Sequence, residues 1–353
     1  MTAGAATATP AEAPGRGRGW ALVALAAPAA AGVSGPALVV PEAAASLGVS
    51  TATATWLLTV FGIGMAAGTP LLTAAGRRSG PGGTLRAAAG LVAAGALLVL
   101  LVPGFTAALA GRALLAAGAA GFNVAAFQLA SRDPGGRSAG LVAIGSAAGG
   151  TAGLFGGAAI AAAADWRGAL VLPLLSLVML GAVRPALAAG ARTPGTAVPA
   201  GALPAVLRSR AFLSAATLML LLSTVNFGLM YAGPLRAGQL AGWGSVRTGA
   251  FAALASLAGA LLSWGLVRAR VRWWVLAGGG VLALALAAGG PWAWAVLLGT
   301  GVSSLVTAGG QGLLTGASAE GLPQELHDTA VGLFNFAFLV GVAAGPALAS
   351  SLL

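Results

Sequence analysis

Residues 145–157 read Gly-Ser-Ala-Ala-Gly-Gly-Thr-Ala-Gly-Leu-Phe-Gly-Gly. Gly145, Gly149, Gly153 and Gly157 recur every fourth position in an apolar segment. Residues four apart share a helix face, so the glycines predict a bare groove that admits a neighbouring backbone. In a bilayer, where burying apolar surface no longer drives helices together, such close approach is how they associate. Shifted by 192 positions, Gly140, Leu141, Gly149, Ala152 and Gly153 fall on Gly332, Leu333, Gly341, Ala344 and Gly345. Gly341 and Gly345 then give the second half a similar groove, as a transporter built from a duplicated bundle would have.

Composition sets the solvent. Of 353 residues, 58% are hydrophobic and 7% charged, against roughly 25% charged in soluble domains. The apolar residues cluster into runs long enough to cross a hydrocarbon core of roughly 30 Å as helices. Nothing alternates as a membrane barrel requires. The reading is an all-α, polytopic membrane protein. Its eleven predicted transmembrane helices lie at 20–40, 52–73, 84–103, 107–131, 138–163, 167–186, 211–233, 246–267, 273–289, 291–316 and 328–352. The domain plan is a disordered cytoplasmic tail (1–19), a six-helix bundle (20–186), a cytoplasmic linker (187–210) and a five-helix bundle (211–353). The first apolar run reaches Val40, too long for a signal-peptide core, so it reads as a spanning helix.

The net charge of +11 comes with eighteen basic residues, all arginine and nearly all in the gaps between apolar runs. That placement argues against a nucleic-acid partner. With an amino terminus in the cytoplasm, only Arg167, Arg236 and Arg247 lie outside and Arg112 lies within a span. The remaining fourteen of eighteen are inside, which fixes the orientation by the positive-inside rule. The expected location is a plasma (inner) membrane. The sixth span, shifted by 192, would fall beyond Leu353, so the second half is expected to lack a last helix and the carboxyl terminus to lie outside. No cysteine and one histidine are present, and no cofactor or metal centre is expected. His327 reads as an exposed bystander. No nucleophile or carboxylate pair lies near the bilayer, so an enzyme is not expected.

Four stretches resemble the major facilitator superfamily, in particular its drug-exporting branches. Gly68-Thr69-Pro70-Leu71-Leu72-Thr73-Ala74-Ala75-Gly76-Arg77-Arg78 is similar to the family's cytoplasmic loop signature, with Thr73 and Ala74 where an acid and a base are usual. Gly111-Arg112-Ala113-Leu114, with Ala117-Gly118 and Ala120-Gly121, resembles the intramembrane arginine motif. Ala152-Gly153-Leu154-Phe155-Gly156-Gly157 resembles the exporter signature, and Asp165-Trp166-Arg167 the entry to the sixth helix. The resemblance covers about residues 20–350. It implies a monomer in the lipid bilayer that exports a small apolar or amphipathic compound by alternating access, with a proton as coupling ion. An importer or facilitator of the same fold, or a truncated non-transporting remnant, stays open.

Candidate site residues follow from charge and spacing. Arg112 is a charge inside a span, where such residues face the bundle interior or a wet cavity; Asn123, three turns on, shares its face. The resemblance gives Arg112 a part in cavity electrostatics and coupling. Ser304, Thr307 and Gln311 form one stripe, and Met219, Ser223, Asn226 and Met230 another. The resemblance places both on cavity-lining helices as substrate contacts. Packing between helices explains any one of these polar residues equally well. For gating, Gly76, Arg77 and Arg78 could meet Glu325 and Asp328, which also suit simple helix capping. None of the seven acids falls near a membrane centre.

Overall fold

Lipid leaves a backbone amide or carbonyl no water to bond, so an apolar Ala/Leu-rich chain resolves into helices. The computed structural model describes residues 16–130, 137–188 and 201–350. Among these, eight helices are long and apolar enough to cross a membrane, and three shorter apolar helices accompany them. Each of the eleven expected spans therefore has a helix, and no strand occurs among the described residues.

The first span runs Arg16–Ser34 and continues as a 3-10 turn, Gly35–Leu38. A short helix, Val40–Leu47, and the turn Thr51–Ala54 follow, the latter capped by the Ser50 hydroxyl, which accepts from the Thr53 amide at 3.0 Å. The second and third spans belong to one helical run, Trp56–Leu101, that folds back on itself. Leu72 and Ala88 both lie beside Gly121, and Gly64 and Gly95 both meet the fourth span, Phe105–Ala130. The fifth span is Arg137–Ala163. The sixth is broken into Trp166–Leu170, a 3-10 turn at Leu172–Leu174 around Pro173, and Leu175–Ala188. Spans seven to eleven are Arg210–Ala241, Ser245–Arg268, Trp273–Gly289, Ala293–Ser318 and His327–Ser350. The left-handed Gly242 (φ 65°) turns the chain from the seventh span to the eighth.

Three expectations shift. Arg16–Gly19 belong to the first helix rather than to a tail; residues 1–15 lie outside those described. Within the expected linker, Ala202–Leu207 is a helix whose Val206 joins Phe212, Ala319 and Ala330 in one apolar cluster. Residues 189–200 lie outside those described. The loop between spans two and three is helical, and within it the Ser79 hydroxyl donates to Ala75 O.

The glycine grooves are filled by backbone. Gly145, Gly149, Gly153 and Gly157 face residues 23, 27, 31 and 35 of the first span, four against four. A β-carbon at any of them would fall within 2.8 Å of that backbone. The Ser34 hydroxyl adds a 2.6 Å bond to Gly150 O. Gly341 and Gly345 meet the seventh span in the same manner, at Leu220, Ser223, Thr224 and Gly228. Span five on span one is thus repeated as span eleven on span seven.

Tryptophans mark the bilayer edges. Trp20, Trp264, Trp273 and Trp274 are exposed toward the arginine-rich end, and Trp56, Trp292 and Trp294 toward the arginine-poor end. Amphipathic rings prefer such interfaces.

Gly153→Leu or Gly345→Leu is expected to wedge its helix pair apart, at a cost of at least about 1–3 kcal/mol. Gly150→Ala, which meets open space, is expected to be neutral. Melting of the purified protein in detergent checks the contrast; equal losses would mean that the grooves do not set the packing.

Candidate functional site: the passage between the two helix sets

The two sets of helices meet toward the arginine-poor end. Val40, Ala44, Ala54 and Leu58 pack around Tyr231 of the seventh span, and Thr55 Oγ donates to Tyr231 Oη at 3.3 Å. A β-carbon on Gly62 of the second span would fall 2.6 Å from the Ala343 backbone of the eleventh. Leu38, Leu154 and Ala158 cluster with Leu229, Ala252 and Ala253, so the fifth span meets the eighth. Beneath Tyr231 lies a void of about 10 Å³, lined from one set by Val33, Ala37 and Leu58 and from the other by Phe227, Met230, Val342 and Pro346.

One turn further in, Phe227 and Phe338 stack edge to face at 5.8 Å. Ser304 then donates to Asn226 Oδ1 at 3.3 Å, and Thr307 to Leu222 O at 3.1 Å. Both bonds join the tenth span to the seventh. Half-buried Ser304, Gln311 and Thr315 continue on one face of the tenth span. Thr315 borders a cleft of about 690 Å³ at the arginine-rich end, with Glu320, His327 and Val331 on its rim.

The expected stripes therefore divide. Asn226, Ser304 and Thr307 come together across spans seven and ten, and Gln311 lies nearer the cleft. Ser223 returns its hydroxyl to Met219 O and Leu220 O and faces the Gly341 groove. Met219 is fully buried within its own set. Asn123 keeps a buried Oδ1 without a partner among the described atoms.

Arg112 is placed apart from these. It is fully buried, its guanidinium 4.1 Å from the Phe61 ring centroid. Nε donates to Leu57 O at 3.2 Å, one terminal nitrogen to Leu170 O at 2.8 Å and the other to Gly32 O at 2.9 Å. The reason is local. Gly32 O would ordinarily accept from residue 36, which is proline and has no N–H. Leu170 O would accept from the Leu174 amide, which bonds Val171 O instead in the 3-10 turn. Arg112 fills both vacancies and ties the fourth span to the first, second and sixth. The neighbours of its partners, Val33 and Leu58, line the void under Tyr231. Pro36 and Pro173 were the sequence signals for this arrangement.

Of the gating candidates, Glu325 is exposed in a 3-10 turn, Gln324–Leu326. The side chains of Gly76, Arg77, Arg78 and Asp328 lie outside those described. His327 Nε2 sits 2.9 Å from Leu322 O. Among the described residues, the ion pair found is Asp165 with Arg167, at 3.3 Å. Asp165 also caps its helix, accepting from the Arg167 amide at 2.7 Å.

Residues 20–346 match the sequence pattern of the Major Facilitator Superfamily. The chain belongs to that family. Its members are transporters of small molecules rather than enzymes. Among solved structures it is similar to a bacterial homolog of the human lysosomal transporter Spinster. The inward-facing, unoccupied form of that protein aligns with a TM-score of 0.66 at 18% identity, covering 95% of this chain and 82% of that one. Its inward-facing, occupied form gives 0.65 at 16% identity, covering 93% and 80%. These identities establish the shared fold. No curated protein matches the chain.

Replacing Arg112 by Ala would orphan two carbonyls in lipid, at about 1–3 kcal/mol each. Arg112→Lys, a point charge without the planar fork, would recover only part. Melting temperature is expected to fall by roughly 10 °C for Ala and less for Lys. An unchanged Arg112→Ala melt would remove the clasp from the account of stability.

Proposed function

We propose that the protein exports a small, uncharged, apolar or amphipathic compound across a plasma membrane by alternating access. The observation that carries this reading is the one-sided closure. An apolar seal joins the helix sets at the arginine-poor end, while a neutral polar stripe descends from Asn226 and Ser304 through Gln311 toward the other, where a cleft opens between the tenth and eleventh spans. With arginine-rich loops in the cytoplasm, that conformation accepts cargo from inside. Asn123, Asn226, Ser304, Thr307 and Gln311 offer hydrogen bonds without charge, and Phe227, Phe338 and Met230 offer apolar contact. A charged cargo would lose its hydration there without a counter-ion. Arg112 then acts on the path by holding its wall. The likeness to drug exporters favours the outward direction and a proton as counter-ion. When the inner end closes, Gly76, Arg77 and Arg78 are proposed to meet Glu325 and Asp328.

A second reading, a facilitator without proton coupling, is favoured by one observation: no acidic residue lies in the interior of any span. Proton antiport ordinarily uses an intramembrane carboxylate or histidine.

Purified protein in proteoliposomes, challenged with a panel of uncharged amphipathic compounds, separates the readings. Antiport predicts flux that accelerates under an imposed pH gradient; facilitation predicts flux that follows the compound gradient alone. No compound-dependent flux across the panel would favour the non-transporting remnant. Asn226→Ala and Gln311→Ala are expected to lower flux roughly three- to tenfold, the size of one lost hydrogen bond, with the melting temperature unchanged in Gln311→Ala and slightly lowered in Asn226→Ala, which also gives up the bond from Ser304. Equal flux in both would move the cargo site elsewhere.

The gate is tested separately. Arg78→Asp and Asp328→Arg are each expected to slow flux, and the double reversal to restore it. Failure of the double variant to recover would leave these residues as helix caps.

A further inference from the structure

The seal at the arginine-poor end combines three features that the transport reading does not use. Tyr231, the chain's one tyrosine, is buried, and its hydroxyl meets Thr55 in the middle of an apolar cluster. This bond joins the two helix sets directly. Both helices that supply the second set's side of the void carry a proline near it, Pro346 of the eleventh span in its lining and Pro234 of the seventh one turn beyond Met230. Neither proline can donate to the carbonyl four residues earlier. Those carbonyls belong to Met230 and Val342, and both residues line the void.

Inward of Pro234 the two helices are locked together. A β-carbon on Gly345 would fall 2.6 Å from the Gly228 amide nitrogen. Outward of this contact the seventh helix lacks the rung from residue 234 to Met230 O, and alongside the contact the eleventh lacks the rung from residue 346 to Val342 O. Missing rungs of this kind are where helices bend.

Resting on the transporter reading, we propose that Tyr231 is the latch of this gate. Breaking its bond to Thr55 releases the outer ends of the seventh and eleventh spans, which bend at Pro234 and Pro346 to open the passage. The neutral bond suits the task. A single neutral bond biases the equilibrium by about two- to tenfold.

The absence of cysteine makes the test direct. Spin labels on Ala45→Cys and Gln239→Cys, exposed on opposite sides of the gate, report its opening by distance measurement in nanodiscs. A second pair, Gly82→Cys and Gln324→Cys, also exposed, reports the other end. Tyr231→Phe keeps the ring and removes the hydroxyl. It is expected to raise the long-distance fraction at the first pair about two- to tenfold, as is Thr55→Val. The double variant should match Thr55→Val, which already lacks the bond to Tyr231 along with the Thr55 hydroxyl's 2.9 Å bond to Thr51 O in its own turn. Pro234→Ala, which returns a donor to Met230 O, is expected to lower that fraction.

An unchanged distribution in Tyr231→Phe, or additive effects of the two single changes, overturns the latch. A rise or no change in Pro234→Ala overturns the bending. If neither pair moves in any variant, the alternating-access reading falls as well; movement that ignores Tyr231 removes the latch alone.

Discussion

In hydrocarbon, a carbonyl that has lost its amide donor finds no water to replace it, and that constraint organises this molecule. Pro36 and the turn at Pro173 each free a carbonyl in the first and sixth spans. One arginine, brought in by the fourth span, answers both and donates a third bond to Leu57 O of the second span. The charge that would be costly in lipid is spread over three carbonyl dipoles and an aromatic face. Four helices are thereby fixed at one depth, which is the depth of the seal. Gly32 takes part as well: a β-carbon there would fall 2.7 Å from Phe61, displacing the ring on which the guanidinium rests. A wall so determined is suited to stay rigid while the opposite set moves.

Close approach governs the rest of the packing. Within each set, glycine stripes let one helix lie on the backbone of another over several turns, and dispersion over that length replaces the missing hydrophobic drive. Between the sets the small-residue contacts are fewer, at Gly62 against Ala343 and Gly249 against Ala158. The difference has a mechanical sense. Long complementary grooves resist separation, whereas short contacts near one end can part and re-form. Internal cohesion and external looseness come from the same residue types, distributed differently.

The sequence made the spans legible because apolar length is a one-dimensional property. The duplicated grooves were legible because a period of four survives without knowing the partner. The direction in which Arg112 points was not legible. Its charge announced importance, but its partners are backbone atoms, which every residue carries; only Pro36 and Pro173 hinted at which carbonyls were vacant. Asn226 and Ser304 could be placed on faces by spacing, yet their pairing depends on how two helices cross. Ser223 shows the cost of reading a stripe alone, since its hydroxyl closes on its own helix beside Gly341. Thr55 and Tyr231, 176 residues apart, share no period or motif that would have joined them.

The proposed path is neutral, and that shapes how it can discriminate. A carboxylate in such a passage would select cations by one strong attraction that varies little with shape. Amides, hydroxyls, phenylalanine edges and methionine give many weak contacts instead, and selectivity then depends on how many a cargo satisfies at once. Weak contacts also limit how far a cargo can bias the conformational equilibrium, because only the difference in affinity between the two states does work. A gate that opened only against a large free-energy barrier would remain closed to such a cargo. An apolar seal with one neutral hydrogen bond lies in the range that weak binding can shift. The chemistry of the lining and the strength of the closure are therefore matched.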